Sequence, residues 1–571
     1  MYKKLLLFIH LLFFATYGFS QNLEEIKAEK GVKLNGAVTL NTVGYLSEGI
    51  RARRDPFAWF LSGSLNVNLF GYNAPLSFSY SNTQRKFTQP FNQFSFAPQY
   101  KWVRAYIGYN SMTFSNYTLA GHVFFGGGVE LTPGKWRVAA MFGRLRKAVP
   151  YDLNAPETSY SASFKRMGAG LKVGYDDGGG NSVGLMFFGA KDIRNSLPFI
   201  ISYGPLTPKE NGVVGITGRK KIIGGLFVDG EYAISAINSD TRAASTDSLN
   251  LNSVDLVPER TTTRYFSAYN ASVGYQREKY SIQLRYERIA PEYQTLGAYY
   301  FNNDMRNITI VPSVRLFNST LTLNGNVGFQ RNNLDKSRES TTQRFVGSVN
   351  ANYLPNEKWN FSGSYSNFTT FTNIRPQPDP FFRNNLDTLN FYQLNNTING
   401  LVGYNFGSQE RKQNVMLNVS YQRAKDAAEF ASASEGISDF YTTNLSHSYT
   451  IVPKSLTVGT SVNYYIANTP GVQTNYYGPN LSLSKQLFER TVRATLSNSY
   501  NYSKANERKN GAVFNTRFNV NYSPKKKETQ NKMFQQGHVL GISINVLNKL
   551  DGEVTKGYSE YTGSVVYTYS F

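Results

Sequence analysis

Histidine is the side chain best suited to acid–base chemistry near neutral pH, and this chain of 571 residues contains only four. His10 lies near the amino terminus, while His122, His447 and His538 are far apart along the chain. Hydroxyl side chains flank only His447, which has a serine on each side, and an acyl-transfer site would also need an orienting carboxylate. The sequence therefore predicts no catalytic residue, and each of the three later histidines is expected on a strand or at an interface.

Two glycine triplets could in principle bind phosphate, at Gly126-Gly127-Gly128 and Gly178-Gly179-Gly180. Neither is followed by the lysine and helix that a phosphate loop requires, so they indicate strand bending and turns. The chain has no cysteine, which excludes disulfides, thiolate metal ligands and a lipoprotein acylation site. The sequence predicts neither a metal nor a cofactor.

The elements that would position any side chain are pairs of alternating segments joined by short polar turns. Odd-numbered residues from Phe345 to Tyr353 are apolar or small, and the even-numbered residues between them are mostly polar. After the turn at 354–358, the segment 359–366 repeats this alternation, with aromatic residues near the ends of the apolar stripe. Period-2 alternation predicts strands with one apolar face and one polar face. The same pattern recurs at 265–275, 282–286, 321–329, 415–421 and 456–464.

A soluble β-sandwich is the alternative for such hairpins. It would need its apolar side chains to share one core, and it rarely continues as a meander beyond about ten strands. A transmembrane barrel instead has an apolar outer face and a polar inner face, which average out in composition. The residue content fits that second class: Gly 48, Tyr 40, Phe 40, 17% charged residues and a mean hydropathy of −0.38.

The amino terminus has the pattern of a secretory signal. Lys3 and Lys4 precede an apolar run at 5–15, and small residues follow at Gly18 and Ser20. That run is too short to cross a bilayer as a helix, which needs about 20 residues. We expect a signal peptide at 1–20, a short periplasmic segment at 21–32, and one transmembrane barrel at 33–571.

The carboxyl terminus is an alternating strand that ends on an aromatic residue. Its apolar stripe contains Tyr561, Gly563, Val565, Tyr567, Tyr569 and Phe571. This strand resembles the targeting strand of Gram-negative outer-membrane β-barrels. The resemblance implies that the barrel-assembly machinery recognises Tyr567, Tyr569 and Phe571, and that the protein resides in the cell outer membrane.

Counting hairpins predicts an all-β, antiparallel, up-and-down barrel of about 24 to 26 strands, an even number because both ends should be periplasmic. The count is ambiguous at 82–120, which holds either one more strand or an irregular segment such as 91–102 inside the pore. A barrel of this size needs its lumen occupied, but the 21–32 segment is too short for a separate plug domain. Inward-folded loops, a separate protein or a flattened barrel remain as alternatives.

Basic clusters account for much of the net charge of +22. By the hairpin count, Arg219-Lys220-Lys221 and Lys525-Lys526-Lys527 are periplasmic, where they could contact a partner or anionic lipid headgroups, or simply keep turns solvated. The clusters at 51–54 and 144–147 lie on the other side, where lipopolysaccharide phosphate is the expected counter-ion. Nucleic acid is not an expected partner, because the compartment is wrong and no base-stacking module is visible.

Further segments are similar to uncharacterised barrels of bacteria that use type IX secretion, a group that includes the plug subunit of the translocon. They lie at 101–109, 114–121, 143–148, 231–235 and 293–300. Three functions follow. The first is a channel for transport or secretion across the outer membrane, the second is an accessory or plug-like subunit of a type IX translocon, and the third is an outer-membrane hydrolase that uses His447 or His122. The first is preferred, and no enzymatic activity is expected.

Overall fold

The computed structural model describes residues 32–69, 72–82, 93–151, 162–198, 206–246, 256–299, 302–337, 341, 343–367, 370–372, 392–426, 437–524, 537–553 and 555–571. The predicted signal peptide and almost all of the predicted 21–32 segment lie outside these ranges, so their boundaries stay predictions. None of the helices within the described ranges has the length and hydropathy of a membrane-spanning helix.

The described chain is a single antiparallel sheet. Its strands are β1 (Val32–Glu48), β2 (Phe57–Leu69), β3 (Tyr72–Ser81), β4 (Gln93–Phe96), β5 (Gln99–Tyr100), β6 (Val103–Thr113), β7 (Ala120–Leu131), β8 (Trp136–Arg146), β9 (Arg166–Asp176), β10 (Ser182–Asp192), β11 (Glu210–Lys221), β12 (Leu226–Asn238), β13 (Thr263–Gln276) and β14 (Tyr280–Ile289). The second half contains β15 (Met305–Leu316), β16 (Leu321–Arg331), β17 (Gln343–Tyr353), β18 (Trp359–Ser366), β19 (Thr370–Thr372), β20 (Tyr392–Gly407), β21 (Arg411–Asp426), β22 (Ile437–Ile451), β23 (Leu456–Thr469), β24 (Val472–Leu487), β25 (Val492–Ala505), β26 (Arg508–Tyr522), β27 (Gly537–Lys549) and β28 (Tyr558–Ser570).

The sheet closes into a barrel of 26 strands, because β4 with β5, and β18 with β19, each form one interrupted strand. The seam joins β1 to β28, from Ala37 opposite Ser570 to Glu48 opposite Ser559. Closure leaves no free sheet edge, which a membrane barrel requires. The predicted fold class and even strand number are confirmed.

Successive side chains alternate between the outside and the lumen, as the sequence predicts. Phe142 and Leu185 point outward and are 63% and 59% exposed, whereas their neighbours Met141 and Met186 point inward and are buried. Such large apolar side chains recur around the whole outer surface and would be costly to expose to water. The exterior therefore faces lipid.

The ambiguous region at 82–120 contains one additional wall strand. It is made of β4 and β5, which lie between β3 and β6 and are separated at Ala97 and Pro98. The adjacent strand β6 bends at Gly108, whose φ of 89° is left-handed and where a Cβ atom would collide with the carbonyl oxygen of Phe94. The alternative of an irregular segment at 91–102 inside the pore is wrong for residues 93–102, because β4 and β5 lie in the barrel wall.

The connections divide between two ends of the barrel. We call the end where β1 begins and β28 ends the turn side, and the opposite end the loop side. Short connections dominate the turn side. The alternation fails near the carboxyl terminus, where 470–471 and 506–507 are short loop-side turns and the turn-side connection 523–536 is long.

Candidate functional site in the barrel lumen

Two connections fold inward and build an apolar layer inside the barrel. They are the segment 114–119 after β6 and the described residues 290–299 after β14, and they cover the lumen face of the wall from β6 to β14. We call this layer the inner cluster. Its largest fully buried side chains include Tyr117, Tyr293, Phe124, Phe188, Leu119 and Leu145. Of the three alternatives for the lumen, these segments match the first, inward-folded loops.

The two inward segments are hydrogen-bonded to each other. The hydroxyl of Tyr293 donates to the carbonyl oxygen of Tyr117 over 2.7 Å, and the Thr295 hydroxyl donates to the carbonyl oxygen of Thr118 over 2.8 Å. Burial raises the pKa values of both the Tyr117 and the Tyr293 phenol above their usual range. Both phenols therefore stay neutral donors throughout the physiological pH range.

Wall side chains also hold the inner cluster in place. Asn211 accepts from the Leu296 amide at 3.0 Å, Ser235 donates to the Gln294 carbonyl at 2.6 Å, and Lys172 donates to the Phe114 carbonyl at 2.7 Å. These partners belong to strands β11, β12 and β9. Buried polar groups must be paired to be tolerated, so these bonds fix the segments against the wall.

A buried ion pair lies near the loop-side ends of β9 and β10. Arg166 donates from Nε and Nη2 to the two carboxylate oxygens of Asp192, over 2.8 and 3.0 Å. The backbone amide of Lys209 donates to the same carboxylate at 3.0 Å. Burial also lowers the pKa of the Lys209 side chain, with the nearby Arg166 charge adding to the effect.

The rest of the lumen face is polar and mainly uncharged. Hydroxyl and amide side chains share the inward face across adjacent strands: Ser364 in β18, Asn399 in β20, Ser420 in β21, Asn444 in β22, Asn463 in β23, Asn480 in β24, Ser497 in β25, Asn519 in β26, Ser543 in β27 and Ser564 in β28. Some bond directly, as where Ser420 donates to Asn399 over 2.8 Å and Asn399 donates to Ser364 over 3.1 Å. We call this arc of the lining the polar arc.

The three later histidines lie on strands, as expected. His122 is buried, with its Nδ1 2.8 Å from the Val123 carbonyl oxygen and its ring stacked on Tyr299. His447 shares the outward face of β22 with the exposed Leu445, and its Nε2 lies 3.0 Å from Gln413 Oε1. Within the described residues neither contacts a carboxylate, so the geometry that a hydrolase site would need is not formed there. The described part of the chain also holds no group of three or more potential metal-ligating side chains.

The predicted basic contacts lie at the turn-side end of β11. Because faces alternate, Arg219 and Lys221 point toward the lumen while Lys220 points outward. Lys525, Lys526 and Lys527 lie outside the described residues. The strand period already implies this division between two faces, although the three residues were predicted as one patch.

The predicted assembly signal lies on the seam strand. Tyr567 is exposed on the outward face of β28 together with Val565, as its alternation predicts. Tyr569 and Phe571 follow, with their rings 5.5 Å apart. The amide and carbonyl of Phe571 both pair with Gly36. The role of these three residues in assembly stays a prediction.

A closed antiparallel barrel with a lipid-facing apolar exterior and a polar lumen is an integral outer-membrane β-barrel, and the outer membrane is where this protein resides. Short turns lie on the periplasmic side in barrels of this class, so we expect the turn side to face the periplasm. No protein-family model matches the chain, and no curated protein does.

Comparison with solved structures finds other barrels at low similarity. OccK9 (OpdG) of Pseudomonas aeruginosa is 10% identical, with 71% of this chain and 98% of that chain covered and a TM-score of 0.29. The P pilus usher (PapC) translocation pore is 11% identical, with 94% and 99% covered and a TM-score of 0.36. The FrpB iron transporter of Neisseria meningitidis (F5-1 variant) is 12% identical, with 96% and 84% covered and a TM-score of 0.36. These values are too low to assign a function, and none of the three ties the chain to type IX secretion.

Proposed function

We propose that this protein is an outer-membrane channel for hydrophilic solutes. The observation that carries the proposal is the polar arc, which gives much of the lumen face a continuous surface of hydroxyl and amide groups. In a barrel of this width such a surface is compatible with a water-filled path, whereas an apolar lining would favour dewetting.

The chemistry of the polar arc favours neutral or weakly charged solutes. Serine, threonine and asparagine side chains can both donate and accept hydrogen bonds, but they attract neither cations nor anions strongly. The inner cluster covers the opposite part of the wall and narrows the path from that side. The two faces together support selection by size and polarity more than by charge.

Reconstitution of the purified protein tests this function. In planar bilayers we expect stepwise ion conductance, and in liposomes we expect swelling in neutral sugars that depends on solute size. A heat-unfolded sample serves as the control for protein-independent leakage. A correctly folded barrel, as judged by a shift in gel mobility on boiling, that shows neither conductance nor swelling would exclude an open channel.

A second candidate is the accessory or plug-like subunit of a secretion translocon. Exposed apolar residues at the turn-side tips favour it: Ile222, Ile223, Phe317, Leu354 and Phe488. Apolar side chains at an otherwise polar rim are typical of protein contact surfaces. A tagged pull-down from detergent-solubilised outer membranes tests it, because a stoichiometric large partner with little conductance of the barrel alone would favour this role.

A further inference from the structure

A cavity of about 670 Å³ opens at the turn-side end of the barrel. It lies among three neighbouring turns, which connect β9 to β10, β11 to β12, and β13 to β14. Three cationic side chains line it, Arg219, Lys221 and Arg277, and Glu278 is the only anionic one. The inner cluster, the polar arc and the channel function above use none of these residues.

We propose that this cavity binds a phosphate-type oxyanion that reaches it from the periplasmic mouth of the lumen. Arg219 and Arg277 provide planar guanidinium groups, which match the geometry of phosphate oxygens, and Lys221 provides a third positive charge. Asp229 is the cross-strand neighbour of Arg219 on the same face, so the three cations exceed Glu278 and Asp229 by one charge, which an anionic ligand would balance.

The fold positions these cations in three separate ways. The Arg219 guanidinium stacks on the ring of Phe227 at 4.3 Å, and the Phe227 ring lies over Gly274, where any side chain would collide with it. The Lys221 amide donates to Asn181 Oδ1 over 2.9 Å, which ties the end of β11 to the first turn. Arg277 lies at the rim of the cavity, where its Nε donates over 2.7 Å to the hydroxyl of Tyr275, which shares the outward face of β13 with the exposed Val273.

The charged ends of these side chains remain available for a ligand. Arg219 and Lys221 are exposed, and within the described residues neither side chain forms a hydrogen bond or an ion pair. Basic residues that only keep a turn solvated would not need the Phe227 ring beneath Arg219, or the hydrogen bond from Arg277 to Tyr275. The arrangement is therefore that of a preorganised site more than of scattered surface charge.

The source of the phosphate follows from the direction of the side chains. Arg219 and Lys221 point to the lumen, so a soluble ligand or a phosphorylated group from the periplasm can reach them directly. Lys220, between them, points outward beside Val228, Val273 and Leu284, where lipid headgroups lie. Lys220 is therefore a matched control of the same charge, on the same strand, that faces the other side.

Isothermal titration of the full-length protein in detergent with inorganic pyrophosphate tests the site. We expect saturable binding that weakens as salt rises, and a loss of affinity of about tenfold for Lys221→Gln and for Arg219→Gln. Lys220→Gln should bind like the wild type. The shift in gel mobility on boiling verifies that each variant is folded, and a folded wild type that binds no pyrophosphate would overturn the proposal.

Native mass spectrometry separates the two sources of phosphate. One outcome is that the wild type and Lys220→Gln retain phospholipid, whereas the double variant Arg219→Gln/Lys221→Gln loses it. This outcome would support the phosphate site and identify a lipid as the source of the phosphate. The Lys220→Gln change is also compared directly with Lys221→Gln: if both lower the amount of retained lipid, or the affinity for pyrophosphate, to the same extent, the lumen-facing site is contradicted. None of these readouts requires conductance, so the site can fail while the channel function stands, and the reverse also holds.

Discussion

The hydroxyl of Tyr117 lies 2.6 Å from Oε1 of Glu287, although 170 residues separate them in the chain. Tyr117 belongs to the connection after β6, and Glu287 points into the lumen from β14. The Asn270 side chain on β13 donates to the same phenol oxygen at 3.1 Å. One phenol thereby fixes an inward segment to two strands on a distant part of the wall.

Replacing Tyr117 with phenylalanine should loosen the inner cluster without emptying it. The ring remains, but Asn270 loses its acceptor and Glu287 loses a donor, which costs about 1–3 kcal/mol when buried groups are left unpaired. We expect a lower midpoint of urea unfolding in detergent, followed by tryptophan fluorescence. Tyr232→Phe on the outward face is the control and should unfold like the wild type, so equal effects of the two changes would contradict this role of Tyr117.

The buried pair Arg166–Asp192 should be far more sensitive to losing one partner than to losing both. Either Arg166→Met or Asp192→Leu leaves an uncompensated charge, which costs about 3–5 kcal/mol in a buried site. The double variant removes both charges and should recover part of that loss, measured as the midpoint of urea unfolding. Purely additive effects of the two changes would show that the pair is not coupled.

The Asp177 turn gives a specific pH dependence. Hydrogen bonds from the Asn181 side chain and amide, and from the Gly179 amide, lower the pKa of Asp177 from 3.8 to about 2. Because the folded pKa is depressed, the stabilisation is complete above pH 3.8 and disappears as pH falls toward about 2.

Asp177→Asn mimics the protonated turn and should unfold at lower urea than the wild type between pH 5 and 7. The difference should close between pH 3.8 and about 2, as the wild-type carboxylate becomes protonated. Glu278→Gln serves as the comparison for an acidic residue near the same end of the barrel. If the difference in urea midpoint between the wild type and Asp177→Asn persists at the lowest pH, the charge of Asp177 is not the cause of that difference.

Introducing charge into the polar arc should create ion selectivity. Ser461 and Asn480 are directly opposed on the lumen face of β23 and β24, so Ser461→Asp with Asn480→Asp places two carboxylates in one spot of the path. We expect the reversal potential measured in a salt gradient to shift toward the equilibrium potential of the cation. Val462→Thr on the outward face should leave it unchanged, and no shift in the aspartate variant would place the ion path elsewhere.

Extending the chain beyond Phe571 should slow barrel closure. Its amide and carbonyl both pair with Gly36 on the first strand, at 3.1 and 2.9 Å. Two glycines added after Phe571 leave those bonds possible but place extra residues beside β1, next to the pair that Phe571 forms with Gly36. Pulse-chase analysis of gel mobility should show slower appearance of the folded form than for the same two residues inserted at the exposed turn after Gly471.

Alternation predicted most wall strands and, with composition, the fold class, because a lipid-facing barrel imposes period 2 on every strand. The strand of β4 and β5 was ambiguous for a local reason. Pro98 interrupts its hydrogen bonding and leaves two short pieces that lack a clear stripe.

The inner cluster could not be predicted from the same pattern. The pairing of Tyr293 with Tyr117 depends on how two connections fold back into the lumen, and no sequence period records such a long-range contact. The phosphate-type site has the same origin, because Lys221 and Arg277 come together only when neighbouring turns are aligned by the barrel. The basic tripeptide itself was visible in the sequence, whereas its division between two faces required the strand register.

The described parts of the inward segments attach to the wall mainly between β6 and β14, so the cylinder is mechanically uneven. That sector is two layers thick and its layers are joined by side-chain hydrogen bonds, whereas the polar arc is a single sheet within the described residues. Motion of the barrel wall, and any insertion engineered into its lining, would be accommodated by the single-layer sector, while the two-layer sector keeps its shape.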